Sequence, residues 1–157
     1  MFQGAKTLAL LFILILINSS AIKGQTVTIN SNLTFGSFFV TSTSGGTITV
    51  STSSGRSSTG SIVVESSPAA TRAQFNFAAG SAKRYVTSIT RTTPVTLTGS
   101  NGGTMSVALT APSSTSFTVN AGSSRNINIG GTLTVGSLTS NPPGVYTGNF
   151  TVTINYN

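Results

Sequence analysis

The sequence contains no cysteine, no histidine, no aspartate and no tryptophan, and its only acid is Glu65. Each absence closes a class of chemistry. General acid–base catalysis ordinarily uses two titratable groups near working pH, and one carboxylate cannot form a pair. A Ser-His-Asp triad has neither its base nor its acid. Metal sites built from His, Cys or carboxylates lack ligands. Lys83 in "SAK" could serve a Ser/Lys pair, but it sits in a polar, turn-like stretch and reads as a solvated lysine. None of the glycine pairs runs into a helix start with Lys-Ser/Thr, so none is a phosphate loop. The expectation is a protein that is not an enzyme, with no cofactor and no catalytic, cofactor-binding or metal-binding residue.

The missing cysteines also exclude a disulfide framework, so a small exported domain of this kind must stand on its core alone. A chain of this length can do that as one domain. Charge is scarce as well: 6% of the residues, with a formal net charge of +7. The basic residues Arg56, Arg72, Lys83, Arg84, Arg91 and Arg125 are dispersed. Nucleic-acid surfaces show clustered cations interleaved with aromatics, so no specific nucleic-acid partner is expected. Disorder goes with low hydrophobicity and high charge density, and neither applies here.

The chain does contain a leader-like start. Lys6 precedes an apolar run over residues 8–17, and small and polar residues follow. That layout is a secretory signal peptide. The run is about half of the ~20 residues a membrane-spanning helix needs. Cleavage falls after Ala21 or after Gly24. Residues 1–24 are taken as the signal peptide and 25–157 as a single domain, exported to the periplasm, cell surface or medium, with no transmembrane segment in the mature chain. Loss of Lys6 and Lys23 with the leader lowers the net charge by two.

Beyond the leader, apolar alternation recurs in short bursts between Gly, Ser, Asn and Pro. They are "TVTIN" (26–30), "LTFGSFFV" (33–40), "TITV" (47–50), "SIVV" (61–64), "AQFNF" (73–77), "YVTSITR" (85–91), "PVTLT" (94–98), "TMSVALT" (104–110), "TSFTVN" (115–120) and "RNINIGGTLTV" (125–135). "SNGG" (100–103) is a hairpin signal. "STSSGRSSTG" (51–60) reads as a mobile polar loop. From Tyr146 the last stretch alternates cleanly, with Tyr146, Gly148, Phe150, Val152, Ile154 and Tyr156 on one face. No helical period appears. Short strands at this spacing predict an all-β antiparallel sandwich. A transmembrane barrel needs longer strands with aromatic girdles. Strand parity assigns the core to Phe35, Ile48, Val50, Ile62, Val64, Phe75, Phe77, Val95, Leu97, Met105, Val107, Leu109, Phe117, Val119, Ile127, Ile129, Leu133 and Val135, joined by the even-numbered face of the last strand. Two sequons, at Asn32 and Asn149, matter only in a host that glycosylates asparagine.

Several of these pieces carry a resemblance. "LTFGSF" followed by "GGTITVSTSSG" resembles the early strands of spore-coat-U-like proteins. "GGTMSVALT", "IGGTLTVG" and "PGVYTGNFTVTINYN" resemble a family of small secreted domains of unknown function with a pilin-like fold. That family is related to subunits of chaperone–usher pili. The resemblance implies an immunoglobulin-like sandwich short of one edge strand, completed by a strand from a like subunit or a periplasmic chaperone. It carries over Gly144 and Tyr156 as signature positions, with Tyr146, Phe150, Val152 and Ile154 as the alternating face of an assembly strand. Val27 and Ile29 head a short N-terminal pairing strand, whereas Leu33 and Phe35 belong to the domain's own first strand. The function expected is a non-catalytic structural protein resembling a pilus or surface-coat subunit that assembles by edge-strand pairing. The alternative is a self-contained adhesin-like module that binds surface glycans through its Ser/Thr/Asn-rich loops.

Overall fold

The computed structural model describes residues 24–157; all of the predicted leader except Gly24 lies outside them. Among the described residues nothing is helical. In chain order the strands are β1 (Thr26–Ser31), β2 (Phe38–Val40), β3 (Gly46–Val50), β4 (Arg56–Gly60), β5 (Ile62–Val64), β6 (Ala73–Ala78) and β7 (Arg84–Arg91). There follow β8 (Val95–Gly99), β9 (Thr104–Leu109), β10 (Phe117–Val119), β11 (Ser124–Ile129), β12 (Gly131–Val135), β13 (Tyr146–Thr147) and β14 (Val152–Tyr156). Every ladder is antiparallel, as the short strands and turn signals predict.

The strands form sheets of order β1-β6-β11, β10-β7-β14, β13-β8-β9-β12-β3-β4 and β2-β5. Two cores join them into a sandwich. In the first, Ile48, Val95, Val107 and Leu133 of the six-stranded sheet meet Ala73 of β6, Ile129 of β11 and Ile62 of β5. In the second, Phe77 of β6 and Ile127 of β11 meet Val86 and Ile89 of β7 and Phe117 of β10. The sheet β1-β6-β11 thus covers both of the larger opposing sheets. The run "RNINIGGTLTV" changes sheet at its glycine pair. A Cβ on Gly130 would lie 2.1 Å from the Val50 carbonyl oxygen, so the close backbone approach at the crossing admits no side chain.

The outer face of the six-stranded sheet explains the threonine content. Thr96, Ser106, Thr134, Thr47 and Thr59 stand in register across five strands. Their hydroxyls and those one row over bond across strands, Thr47 to Thr59 at 2.7 Å and Thr49 to Thr132 at 3.0 Å. With only one acid in the chain, the arginines brace backbone instead of pairing with carboxylates. Arg56 donates to the Phe35 and Glu65 carbonyls, Arg72 to Thr52, and Arg91 through two nitrogens to Leu109. Arg125 lies over the Phe117 ring, 4.6 Å from its centroid, a cation–π contact.

Four local readings change. Residues 33–40 are not one strand: Gly36 takes φ +72°, a conformation glycine enters without a steric penalty, Thr34 makes only an isolated bridge to Thr71, and Phe38–Val40 pairs with β5. The polar stretch 51–60 is not a loop throughout, because Arg56–Gly60 is β4 and pairs along the whole of β3. Strand β7 carries a bulge where the register passes from Asn155–Ser88 to Tyr156–Val86. The extra residue, Thr87, lets Val86 and Ile89 both face the core, so two buried residues escape a strict alternation count. Finally, the alternating run from Tyr146 to Tyr156 is split. Tyr146–Thr147 joins β8, Val152–Tyr156 joins β7, and the residues between them pair with neither.

Candidate assembly groove

Six strands border the outsides of the three larger sheets: β1 and β11, β10 and β14, and β13 and β4. Strand β4 is wholly polar or glycine, and β10 and β13 are very short, which are ordinary ways of blunting an edge. On β11 the Ser113 amide donates to the Asn128 carbonyl at 2.9 Å on the outer flank, and Ile127 and Ile129 are buried; β1 and β14 are the edges whose alternating apolar residues lack such cover among the described residues.

On β14 the backbone direction can be assigned. Asn157 and Tyr85 exchange both backbone bonds, at 3.1 and 3.2 Å, and the Thr92 amide donates to the Thr151 carbonyl at 3.0 Å. The odd-numbered residues therefore bond to β7. By antiparallel alternation, Val152, Ile154 and Tyr156 turn their N–H and C=O groups away from it. No strand among the described residues pairs with that side. The side chains of the same three residues turn inward, where Val152 and Ile154 are half-buried and Tyr156 remains 40% exposed.

Strand β1 mirrors this. Val27 stands opposite Phe77 and Ile29 opposite Phe75, so all four share the inner face of their sheet. Yet Val27 is 48% and Ile29 66% exposed. The Tyr156 ring packs against Phe77 at 5.4 Å between centroids, and the Gln25 Nε2 donates to the Tyr156 hydroxyl at 2.5 Å. The two apolar edges thus lie across a notch from each other, one from each layer.

The notch leads into a groove with a cavity volume of about 1180 Å³. Its walls are residues 29–40 and 138–150, and Leu97, Met105 and Leu133 lie on its floor. At the notch end, Phe150 meets Phe75 edge to face, 6.3 Å between centroids. Among the described residues Glu65 is the only charged one along it. The C-terminal wall is held firmly. Buried Asn141 accepts from the Gly136 amide at 2.5 Å and donates to the Thr104 carbonyl at 2.7 Å. Tyr146 donates to the Pro142 carbonyl at 2.7 Å, and its ring fills the space over Gly99, where a Cβ would come within 2.7 Å of it. Asn101 donates to the Pro143 carbonyl at 2.7 Å.

Of the residues singled out from the sequence, Ile29, Gly144, Tyr146 and Phe150 line the groove, whereas Val27, Val152, Ile154 and Tyr156 lie on the notch strands and not on its lining. Val27 and Ile29 are on β1; Val152, Ile154 and Tyr156 are on β14. Phe150 lies in the unpaired link, Tyr146 on β13, and Gly144 at the exposed lip beside Ser100. The N-terminal wall contains Leu33 and Phe35, which the sequence pattern gives to the domain's own first strand, together with Phe38; nothing in the sequence pattern marks Asn141. One signal for the groove lies in the core list. Of the eighteen residues ahead of the last strand only Phe35, Val64, Phe75 and Leu97 are less than buried, and three of those four line the groove; the last strand's even face, also assigned to the core, is not buried, with Val152 and Ile154 half-buried and Tyr156 40% exposed.

The family model "Domain of unknown function (DUF4402)" matches residues 26–156, the whole span from β1 to β14. No curated protein and no solved structure matches the chain. No helix among the described residues is long and apolar enough to cross a membrane.

Proposed function

This chain belongs to the DUF4402 family, and from that premise we propose that it is an exported, non-catalytic structural protein that assembles by pairing at an open sheet edge. The observation that carries the reading is the notch: Val27, Ile29 and Tyr156 point inward from two facing edge strands and remain exposed, with Ile154 only half-buried beside them. An inserted strand would bond to the outward backbone of Val152, Ile154 and Tyr156 and seat alternate side chains in the groove. Fully covering one large apolar side chain is worth ~1.5–3 kcal/mol, so a few such positions suffice for a lasting contact. The resemblance of the closing segment to chaperone–usher pilus subunits, and of the early strands to spore-coat-U-like proteins, supports an immunoglobulin-like arrangement with one strand missing. It supports a like subunit or a periplasmic chaperone as the partner. The glycan-binding alternative would rest on the Ser/Thr/Asn-rich loops, of which residues 51–55 remain outside the strands while 56–60 are strand β4.

The test is electrophoresis of unboiled samples. The unaltered protein is expected to run as a heat-labile ladder. Ile154→Asp and Tyr156→Asp each place a charge on the inner side of the notch and should collapse the ladder to a single band. Intact ladders in both variants would overturn the proposal.

A further inference from the structure

We propose that Gln25 is a modification site, closing to pyroglutamate once cleavage after Gly24 makes it the N-terminal residue. The inference rests on the exported reading above. Gly24 is exposed, with nothing within 4 Å of a Cβ placed on it, whereas half-buried Gln25 is the first of the described residues to touch the folded domain. It lies just ahead of β1, outside the β1–β6 ladder, so its backbone nitrogen is not needed by the sheet. Cleavage after Gly24 frees that nitrogen within reach of the residue's own side-chain amide. The lone pair attacks Cδ, the N–Cδ bond forms and the Cδ–Nε2 bond breaks. The proton shed by the α-nitrogen leaves with Nε2 as ammonia. The ring is a five-membered lactam, and nothing is oxidised or reduced.

The location gives the change a consequence. The Gln25 side chain reaches the Tyr156 hydroxyl at 2.5 Å, and the Tyr156 ring rests on Phe77. An open terminus here carries an ammonium, since α-amino groups titrate near ~8. That charge would sit at the mouth of the notch, where an incoming strand must displace water, and burying an unpaired charge is costly. The lactam is neutral. It loses the Nε2 donor but keeps the carbonyl, so the Tyr156 hydroxyl can donate where it formerly accepted. The contact between the β1 and β14 edges persists with its direction reversed and its charge removed.

The intact mass and N-terminus of the protein purified after export test this. The expected chain begins at residue 25, is lighter than its sequence by one ammonia, and resists stepwise N-terminal degradation until treated with pyroglutamyl aminopeptidase. The Gln25→Ala chain should keep its full sequence mass and degrade without treatment. A chain that begins at Gln25 with an open amine, or at Ile22, overturns the inference and leaves the export reading standing. A chain that still begins at Met1 overturns both.

Discussion

Val27 and Phe77 are direct partners across the β1–β6 ladder and point to the same face, yet Phe77 is 0% exposed and Val27 48%. The difference lies in what covers them. Phe77 is roofed by Phe117 and Tyr156 from the opposing sheet, while Val27, one strand further out, has passed beyond that roof. An inner face that outruns its cover is the physical content of an incomplete sandwich.

That contrast sets the first prediction. Phe77→Ala should destabilise the isolated domain by about 3–5 kcal/mol, the usual range for a buried aromatic. Val27→Ala and Ile29→Ala should stay within about 0.5 kcal/mol, as surface substitutions do. Urea denaturation of the monomer measures all three. A loss at Ile29 comparable to that at Phe77 would mean the notch is already filled.

Asn141 supports the second prediction. Its side chain satisfies the Gly136 amide and the Thr104 carbonyl inside the C-terminal wall. Asn141→Leu strands both, and each buried unsatisfied group costs about 1–3 kcal/mol. The melting temperature should fall. Because the wall hangs on this residue, the variant should also assemble less than its remaining folded fraction predicts. Unboiled electrophoresis at a temperature where it is still folded separates the two effects.

The bulge in β7 supports a third. Strict alternation lets only one of Val86 and Ile89 be buried, but Thr87 occupies the extra position and both are. Ile89→Ala should cost roughly 2–5 kcal/mol, Val86→Ala somewhat less, and Thr87→Ala only its hydroxyl bond to the Asn155 carbonyl, about 1 kcal/mol. Near-neutral behaviour at either Val86 or Ile89 would place that side chain outside the core.

These positions show what was legible in advance. Period-2 patterning identifies strands because it depends on neighbouring residues, and most core positions follow from it, from Ile48 to Val135. Bulges, crossings and edges depend on partners far along the chain. Nothing local to "STSSGRSSTG" says that β3 will bond to Arg56–Gly60. Nothing local to "VYTGNFTVTI" says that its two ends will join different sheets. The alternating face that marks Val152, Ile154 and Tyr156 was visible; the groove was not. Its far wall is residues 33–40, turned aside at Gly36, and only tertiary placement sets that wall against 138–150.

The last prediction concerns salt. Among the described residues the groove carries no charge apart from Glu65, and the notch presents backbone amides, carbonyls and apolar side chains. Raising ionic strength from about 0.1 M to about 1 M shortens the screening length from ~10 Å to ~3 Å, which weakens contacts between exposed charges and leaves strand pairing and apolar burial intact. Each copy is also net positive, so approaching copies repel, and screening removes that repulsion. Ladders should therefore survive high salt and form faster in it. Adsorption driven by the scattered cations on an anionic surface should fade over the same range. Time courses of unboiled electrophoresis at the two salt concentrations distinguish the cases: ladders that dissolve in salt would locate the contact on the arginines and away from the open edge of β14.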